Sequence, residues 1–250
     1  MNNTDKTTVS NTNLISELTP QLKRRQGKGF TLAEILITLT VIGVVAALTI
    51  PTLLQNTNQA ELKAAWKRNF AELNQATMQI ANESGGTLAN VFTGADANVM
   101  SNSMINAYAA HLSYIKKCDS AISNTPEGSQ CWHENDKWYW LSGKKDDENV
   151  GAGLVLSNGS LFVETLLFPA CTWGVSPKGD ACGYGTVDVN GFKSPNMIGK
   201  DIFSFYITNP GVIVPMGAQG SHTDDNYDIC NLSINPDSKG WACSADYLYQ

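Results

Sequence analysis

The strongest hydrophobic pattern in the chain is an apolar run from Phe30 to Ile50. Its 21 residues would cover roughly 31 Å as a helix, about the hydrocarbon thickness of a bilayer. Basic residues lie just before the run, and no charged residue follows it until Glu61. The positive-inside rule therefore predicts one transmembrane helix, with the N-terminus in the cytoplasm and the rest of the chain outside.

A secretory signal peptide is the alternative interpretation of this run. The small residues Val45-Ala46-Ala47 would then supply the cleavage site. However, apolar residues continue to Ile50, and the run is long for a signal peptide. The pattern therefore favours a membrane span that is retained.

A second helical pattern follows Pro51. Apolar residues recur at spacings of three and four from Leu62 to Ile80, which is typical of one face of an amphipathic helix. Gly85-Gly86 marks its end. Such a stripe is not expected to stay exposed in water, so we expect it to pack on a globular head. A further helix is predicted from Met104 to about Lys117, after a loop over residues 84–100.

From Gly153 onward the pattern changes to strands. Residues 154–163 predict two short strands joined by Asn158-Gly159, a strong hairpin signal. Further strands are predicted at residues 186–189, 202–208 and 211–214. A long N-terminal helix followed by an antiparallel sheet is an α+β arrangement.

Glu34 is the only ionisable residue between Phe30 and Ile50. An ionisable side chain inside a membrane span is a functional candidate by default. The alternative is a tolerated acid near the membrane surface, which the positive end of the helix dipole would favour. The residues around Glu34 decide between these interpretations.

The segment Gly29-Phe30-Thr31-Leu32-Ala33-Glu34, with its apolar continuation, resembles the class III signal of type IV pilins and type II secretion pseudopilins. The resemblance implies that a prepilin peptidase cuts after Gly29 and methylates the new N-terminus, Phe30. It also implies that Glu34 meets the terminal amine of a neighbouring subunit during assembly. The leader of 29 residues is long for this family and leaves the subclass open.

The resemblance implies a pilin-like domain order. A cytoplasmic leader would occupy residues 1–29, and the transmembrane half of the N-terminal helix residues 30–50. The amphipathic half of that helix would occupy residues 51–84, and an extracytoplasmic head residues 85–250. The expected fold is therefore a long helix packed on an antiparallel sheet head with disulfides.

The function implied by the resemblance is structural, not enzymatic. The precursor would be a single-pass inner-membrane protein that an inner-membrane assembly platform adds to other pilin or pseudopilin subunits. The product would be a type IV pilus or a periplasmic type II secretion pseudopilus, with this chain as a shaft or tip subunit. The alternative is a membrane-anchored extracellular binding protein or enzyme that does not polymerise. The sequence contains no catalytic signature such as G-x-S-x-G, H-E-x-x-H or a P-loop.

Charge and cysteine content restrict the properties of the head. Removing the leader changes the formal net charge from −6 to −9, which argues against nucleic-acid binding, since that needs a basic patch. Six cysteines on the oxidising side of a membrane predict three disulfides. Pairing between sequence neighbours is the simplest of the 15 possible connectivities, and a zinc site is the competing reading. These neighbours are Cys118 with Cys131, Cys171 with Cys182, and Cys230 with Cys243.

Two further groups of residues are candidate binding sites. Asp188, Asn190, Asn196 and Asp201 supply oxygen atoms of the type that Ca²⁺ prefers. The resemblance supports calcium, since major pseudopilins bind it in a loop of their sheet domain, whereas Asx-turns would explain the same residues. The aromatic residues 138–140 could form a sugar-binding face or pack in the core.

Overall fold

The computed structural model describes residues 29–119, 130–134, 136–146, 148–174, 178–222 and 229–249. The predicted leader lies outside the described residues except for Gly29. The chain divides between Pro51 and Thr52 into two compact units.

The first unit contains the start of helix α1, which runs from Leu32–Glu83 and includes Pro51. Its part Leu32–Pro51 is long and apolar enough to cross a membrane, and none of it is buried among the residues that the structure describes. The hydroxyls of Thr38, Thr40 and Thr49 donate to carbonyls four residues earlier in the helix. These bonds satisfy the polar side chains within the span, as a hydrocarbon environment requires.

In the second unit, the remainder of α1 buries the predicted apolar face. Trp66, Leu73 and Ile80 are almost fully buried. The Trp66 ring stacks on Phe203 with 5.0 Å between the ring centroids, and its Nε1 donates to the Ser244 carbonyl at 2.9 Å. The prediction of an amphipathic helix is confirmed.

The core of the second unit is closed by one antiparallel sheet of six strands in sequence order. Its strands are β1 (Tyr114–Cys118), β2 (Gly153–Leu156), β3 (Leu161–Leu167), β4 (Ala181–Asp188), β5 (Ile202–Thr208) and β6 (Ile213–Pro215). The predicted turn at Asn158-Gly159 joins β2 to β3, and Leu154 pairs with Phe162. The loop spans Ser157 to Gly159, since the Leu156 amide donates to the Ser160 carbonyl, and Gly159 takes the left-handed φ of 88° that such a three-residue loop requires at its last position. The α+β class is confirmed.

The structure departs from the predicted elements around α2 and at the C-terminal end of the head. Helix α2 covers Ala97–Ala109 and begins at Asp96, whose side chain accepts a hydrogen bond from the Val99 amide. Residues 114–118, predicted as the end of that helix, form β1 instead, because they pair with the open edge of β2. A short helix α3, Cys243–Tyr249, was not predicted.

Two buried or partly buried amides fix α1 on the sheet. Asn69 donates to Ser160 Oγ at 2.9 Å, where β3 begins. Asn74 accepts a hydrogen bond from the Ile213 amide in β6 at 3.0 Å. Since both strands satisfy polar groups on the helix, apolar packing and hydrogen bonding specify the same position of the helix on the sheet.

The cysteines form three disulfides, each between neighbours in the sequence. The bonds are Cys118–Cys131, Cys171–Cys182 and Cys230–Cys243. Each bond closes a loop of 11 to 13 residues, and such bonds restrict the unfolded chain. They hold the ends of β1, β4 and α3 to adjacent loops.

Candidate functional site

The predicted cleavage bond lies directly before the helix. Gly29 and Phe30 are both non-helical and exposed, and α1 begins two residues later. The Phe30 side chain is 83% exposed, and no atom lies within 4 Å of the position that a Cβ on Gly29 would take. None of the described residues, which begin at Gly29, covers the Gly29–Phe30 peptide bond.

Thr31 and Glu34 form a reciprocal cap at the start of the helix. The Thr31 amide and its Oγ1 each donate to Glu34 Oε2 at 2.8 Å. The Glu34 amide donates in return to Thr31 Oγ1 at 3.2 Å. This is a capping box, in which each side chain satisfies a backbone N–H at the helix start. The Thr-x-x-Glu spacing carries this signal in the sequence, although the capping box was not among the predicted features.

The capping box also orients the Glu34 carboxylate. Among the described residues, both hydrogen bonds to this carboxylate end on Oε2. The other oxygen, Oε1, accepts none of the hydrogen bonds found among the described residues. The acid therefore caps the start of the helix through one of its two oxygens.

The four residues predicted to bind calcium lie together in one loop. Asp188 and Asp201 are fully buried. Asp201 accepts hydrogen bonds from the Met197 amide at 2.7 Å, the Asn196 amide at 2.9 Å and Asn190 Nδ2 at 3.1 Å. The loop thus brings together all the residues that the sequence singled out.

The aspartate that ends β4 is also paired with a histidine. His133 Nε2 lies 2.8 Å from Asp188 Oδ2, and the Asn190 amide donates to Asp188 Oδ1 at 3.0 Å. Burial raises the pKa of Asp188, and the nearby charge of Asp201 raises it further. Burial lowers the pKa of His133 to about 4. Both shifts have the same cause, because a buried site disfavours the charged form of either group.

The side-chain oxygens of this loop are arranged to accept hydrogen bonds and are less suited to coordinate calcium. Both oxygens of Asp188 and of Asp201 are already in contact with N–H groups, whereas calcium needs six to eight oxygen ligands. The side-chain oxygens of Asn190 and Asn196 are buried without a hydrogen bond, so two amide oxygens remain. No group of three or more His, Cys, Asp or Glu suited to a metal occurs among the described residues. The Asx-turn interpretation is therefore favoured, and calcium binding stays a prediction.

The aromatic residues 138–140 do not form one exposed face. The Trp138 ring is buried against Trp132, with 5.6 Å between the centroids. The Trp140 Nε1 donates to Asp146 Oδ2 at 2.8 Å. The geometry favours the core interpretation for Trp138.

Comparison with known proteins bears on the start of α1. Residues 24–50 match the family described as the prokaryotic N-terminal methylation motif. No curated protein and no solved structure matches the chain. The match includes the predicted cleavage bond, the capping box and the whole apolar run from Phe30 to Ile50. The chain therefore carries the prokaryotic N-terminal methylation motif, the hallmark of the prepilin-type signal of type IV pilins and pseudopilins.

Proposed function

We propose that this chain is a non-enzymatic subunit of a type IV pilus or a type II secretion pseudopilus. A prepilin peptidase would cut the Gly29–Phe30 bond and methylate the new N-terminus. The single observation that carries the proposal is the methylation motif at residues 24–50, whose cleavage bond lies exposed just before an apolar helix. A helix used only as an anchor needs neither this bond nor an acid at Glu34.

Assembly would pair Glu34 of one subunit with the Phe30 amine of the next. Cleavage creates that amine, and the capping box leaves Oε1 of Glu34 without a donor from its own described residues. In a low-dielectric bundle of helices a carboxylate needs a hydrogen-bonded partner of opposite charge. Such a pair would also fix the axial register between subunits, which is the best-attested role of a buried polar pair.

The apolar half of α1 supports the same proposal. Large side chains such as Leu32, Leu36 and Leu48 are more than half exposed in the isolated chain. A surface of this kind must be covered by lipid or by other helices. We propose that lipid covers it in the precursor and that neighbouring subunits cover it in the filament, added by an inner-membrane assembly platform.

The orientation in the membrane follows from the charges around the span. Arg24, Arg25 and Lys28 precede the helix, and the positive-inside rule puts such residues on the cytoplasmic side. The head would then lie in the periplasm before assembly. Three disulfides suit this oxidising compartment.

N-terminal mass spectrometry of the protein purified from membranes with an active prepilin peptidase tests the proposal. We expect a mature chain that begins with N-methyl-phenylalanine at Phe30. The variant Gly29→Val should stay uncut, because the peptidase must accept the residue on the leader side of the bond. The matched control is Gly43→Val, since neither glycine has an atom within 4 Å of its Cβ position. Any other mature N-terminus, or equal cleavage of Gly29→Val, would overturn the proposal.

A further inference from the structure

A cavity lined by aromatic side chains lies on the face of the sheet turned away from α1. In β5, Phe203 and Phe205 contact Trp66 of α1, so the alternating residue Tyr206 points to the opposite face. There Tyr206 pairs in register with Tyr184 of β4. The cavity above these two residues has a volume of about 440 Å³, within the range of roughly 300–1,000 Å³ that is typical of small-molecule sites.

The rings of this cavity form a continuous array. Trp173 lies edge-on to Tyr206 with 5.6 Å between the centroids and lies 6.1 Å from Tyr184. The Trp241 ring lies edge-on to Tyr184 with 5.6 Å between the centroids. Tyr206 is fully buried and forms the floor, whereas the other three rings are only partly buried. Partly buried rings held in place by their neighbours offer a rigid apolar platform.

Polar and charged side chains line the same cavity as the platform. They include Glu148, Asn235, Asp237 and Lys239. The Lys239 Nζ lies 3.2 Å from Glu148 Oε1 and 4.6 Å above the centroid of the Trp140 ring. Asp237 pairs with Lys144 at 2.8 Å. Among the described residues each of these charged side chains has a partner of opposite sign, which favours neutral ligands over ions.

We propose that this cavity binds a carbohydrate. A sugar ring has an apolar C–H face, which suits the exposed sides of Trp173 and Trp241. Its edge carries neighbouring hydroxyls, which match the carboxylate, amide and ammonium groups of Glu148, Asn235 and Lys239. A pocket of apolar surface with a few convergent polar groups is the usual form of a small-ligand site.

The proposed sugar site differs from the one predicted at the aromatic residues 138–140. Trp138 fills the core, whereas Trp173 and Trp241 come together only when the loops before β4 and α3 fold over the sheet. Sugar binding by this cavity does not depend on filament assembly, so either proposal can fail without the other.

Saturation-transfer NMR on the purified full-length protein tests the inference. The protein is kept in a polyoxyethylene detergent, which has no sugar headgroup. The probes are glucose, galactose, mannose, N-acetylglucosamine and cellobiose, with tetramethylammonium as the cationic comparison. We expect at least one sugar to receive saturation at its ring C–H protons, with a weak dissociation constant of about 1 mM.

Single-residue variants test whether the sugar binds in this cavity. Trp173→Ala and Trp241→Ala should each weaken sugar binding about tenfold, because each removes one ring of the platform. Asn235→Ala removes an amide side chain that lines the cavity and should weaken sugar binding several-fold. This variant tests the proposal even if a tryptophan variant fails to fold. The matched control, Tyr249→Ala, removes an exposed ring that does not line this cavity and should bind as the wild type does. No sugar signal, equal binding by folded Trp173→Ala or Asn235→Ala, or signal from tetramethylammonium alone would overturn the proposal.

Discussion

Glu164 in β3 is a buried acid that should make the stability of the head depend on pH. Only 6% of this residue is exposed, and it forms none of the ion pairs recorded among the described residues. Burial raises the pKa of its carboxyl to about 7, while a hydrogen bond with Ser101 of α2 opposes part of that rise. Replacing Glu164 by glutamine removes the charge and keeps the shape of the side chain.

The sign and size of the effect follow from the two pKa values. In the unfolded chain the carboxyl of Glu164 has its ordinary pKa of 4.5, and in the folded chain a pKa of about 7. Between these pH values the folded state binds more protons than the unfolded state, so its stability falls as pH rises. A shift of this size corresponds to about 3 kcal/mol, which is lost progressively across the window and is fully lost above pH 7.

We therefore expect Glu164→Gln to be more stable than the wild type by about 3 kcal/mol above pH 7. The difference should disappear below pH 4.5. Urea unfolding of the detergent-solubilised protein, followed by near-ultraviolet circular dichroism from pH 4 to pH 8, measures it. Subtracting the two curves cancels the contributions of other titrating groups, such as Asp188 and His133.

Glu148→Gln is the matched control for this experiment. Glu148 is partly exposed and paired with Lys239, so replacing it by glutamine should destabilise the fold by no more than about 1 kcal/mol. A constant difference between Glu164→Gln and the wild type at every pH would refute the reasoning. A wild type that gains relative stability as pH rises would refute it as well.

Two further predictions concern the long helix. Glu34→Gln should be inserted and cut normally but should give far fewer filaments in sheared surface or periplasmic fractions. Thr31→Ala leaves the acid in place and should assemble better than Glu34→Gln. Equal filament yields from Glu34→Gln and the wild type would contradict the pairing. Gly211→Ala should destabilise the head by about 2–4 kcal/mol in urea unfolding, because a left-handed backbone and an overpacked contact each cost about 1–2 kcal/mol. Gly211 has a φ of 83°, and a Cβ there would collide with Ala81 of α1. Adding Ala81→Gly to the Gly211→Ala variant should therefore recover part of the lost stability. No recovery would exclude this contact as a cause of the loss.

Local signals made part of the fold predictable from the sequence. The apolar face from Leu62 to Ile80 repeats every three or four residues, and the Asn158-Gly159 turn lies between two strands that pair directly. Each disulfide likewise joins cysteines that are near in sequence. In these cases the residues that predict a structural element lie within that element or close to it in the sequence.

Features that depend on distant partners were not predictable. Residues 114–118 follow the helical apolar pattern of α2 in the sequence. They form a strand because they pair with β2, which lies more than 30 residues later in the chain. The aromatic cavity joins Trp173, Tyr184 and Trp241 from separate elements, so no window of the sequence contains its pattern. The burial of Asp188 and Asp201 is equally non-local, and it determines how the candidate calcium loop is hydrogen-bonded.

The two halves of α1 divide the interactions of the chain in a way that bears on its function. The second half has its apolar face buried and is held by Asn69 and Asn74, so that face is not available to other subunits. No part of the first half is buried among the described residues, and this half carries Glu34, which the proposed assembly pairs with the amine of a neighbouring subunit. Contacts between helices of different subunits are therefore expected at residues 32–51, the stretch that falls within the methylation motif apart from its last residue. The head surface beyond that motif, including the aromatic cavity, is then where one filament subunit can differ from another in what it binds.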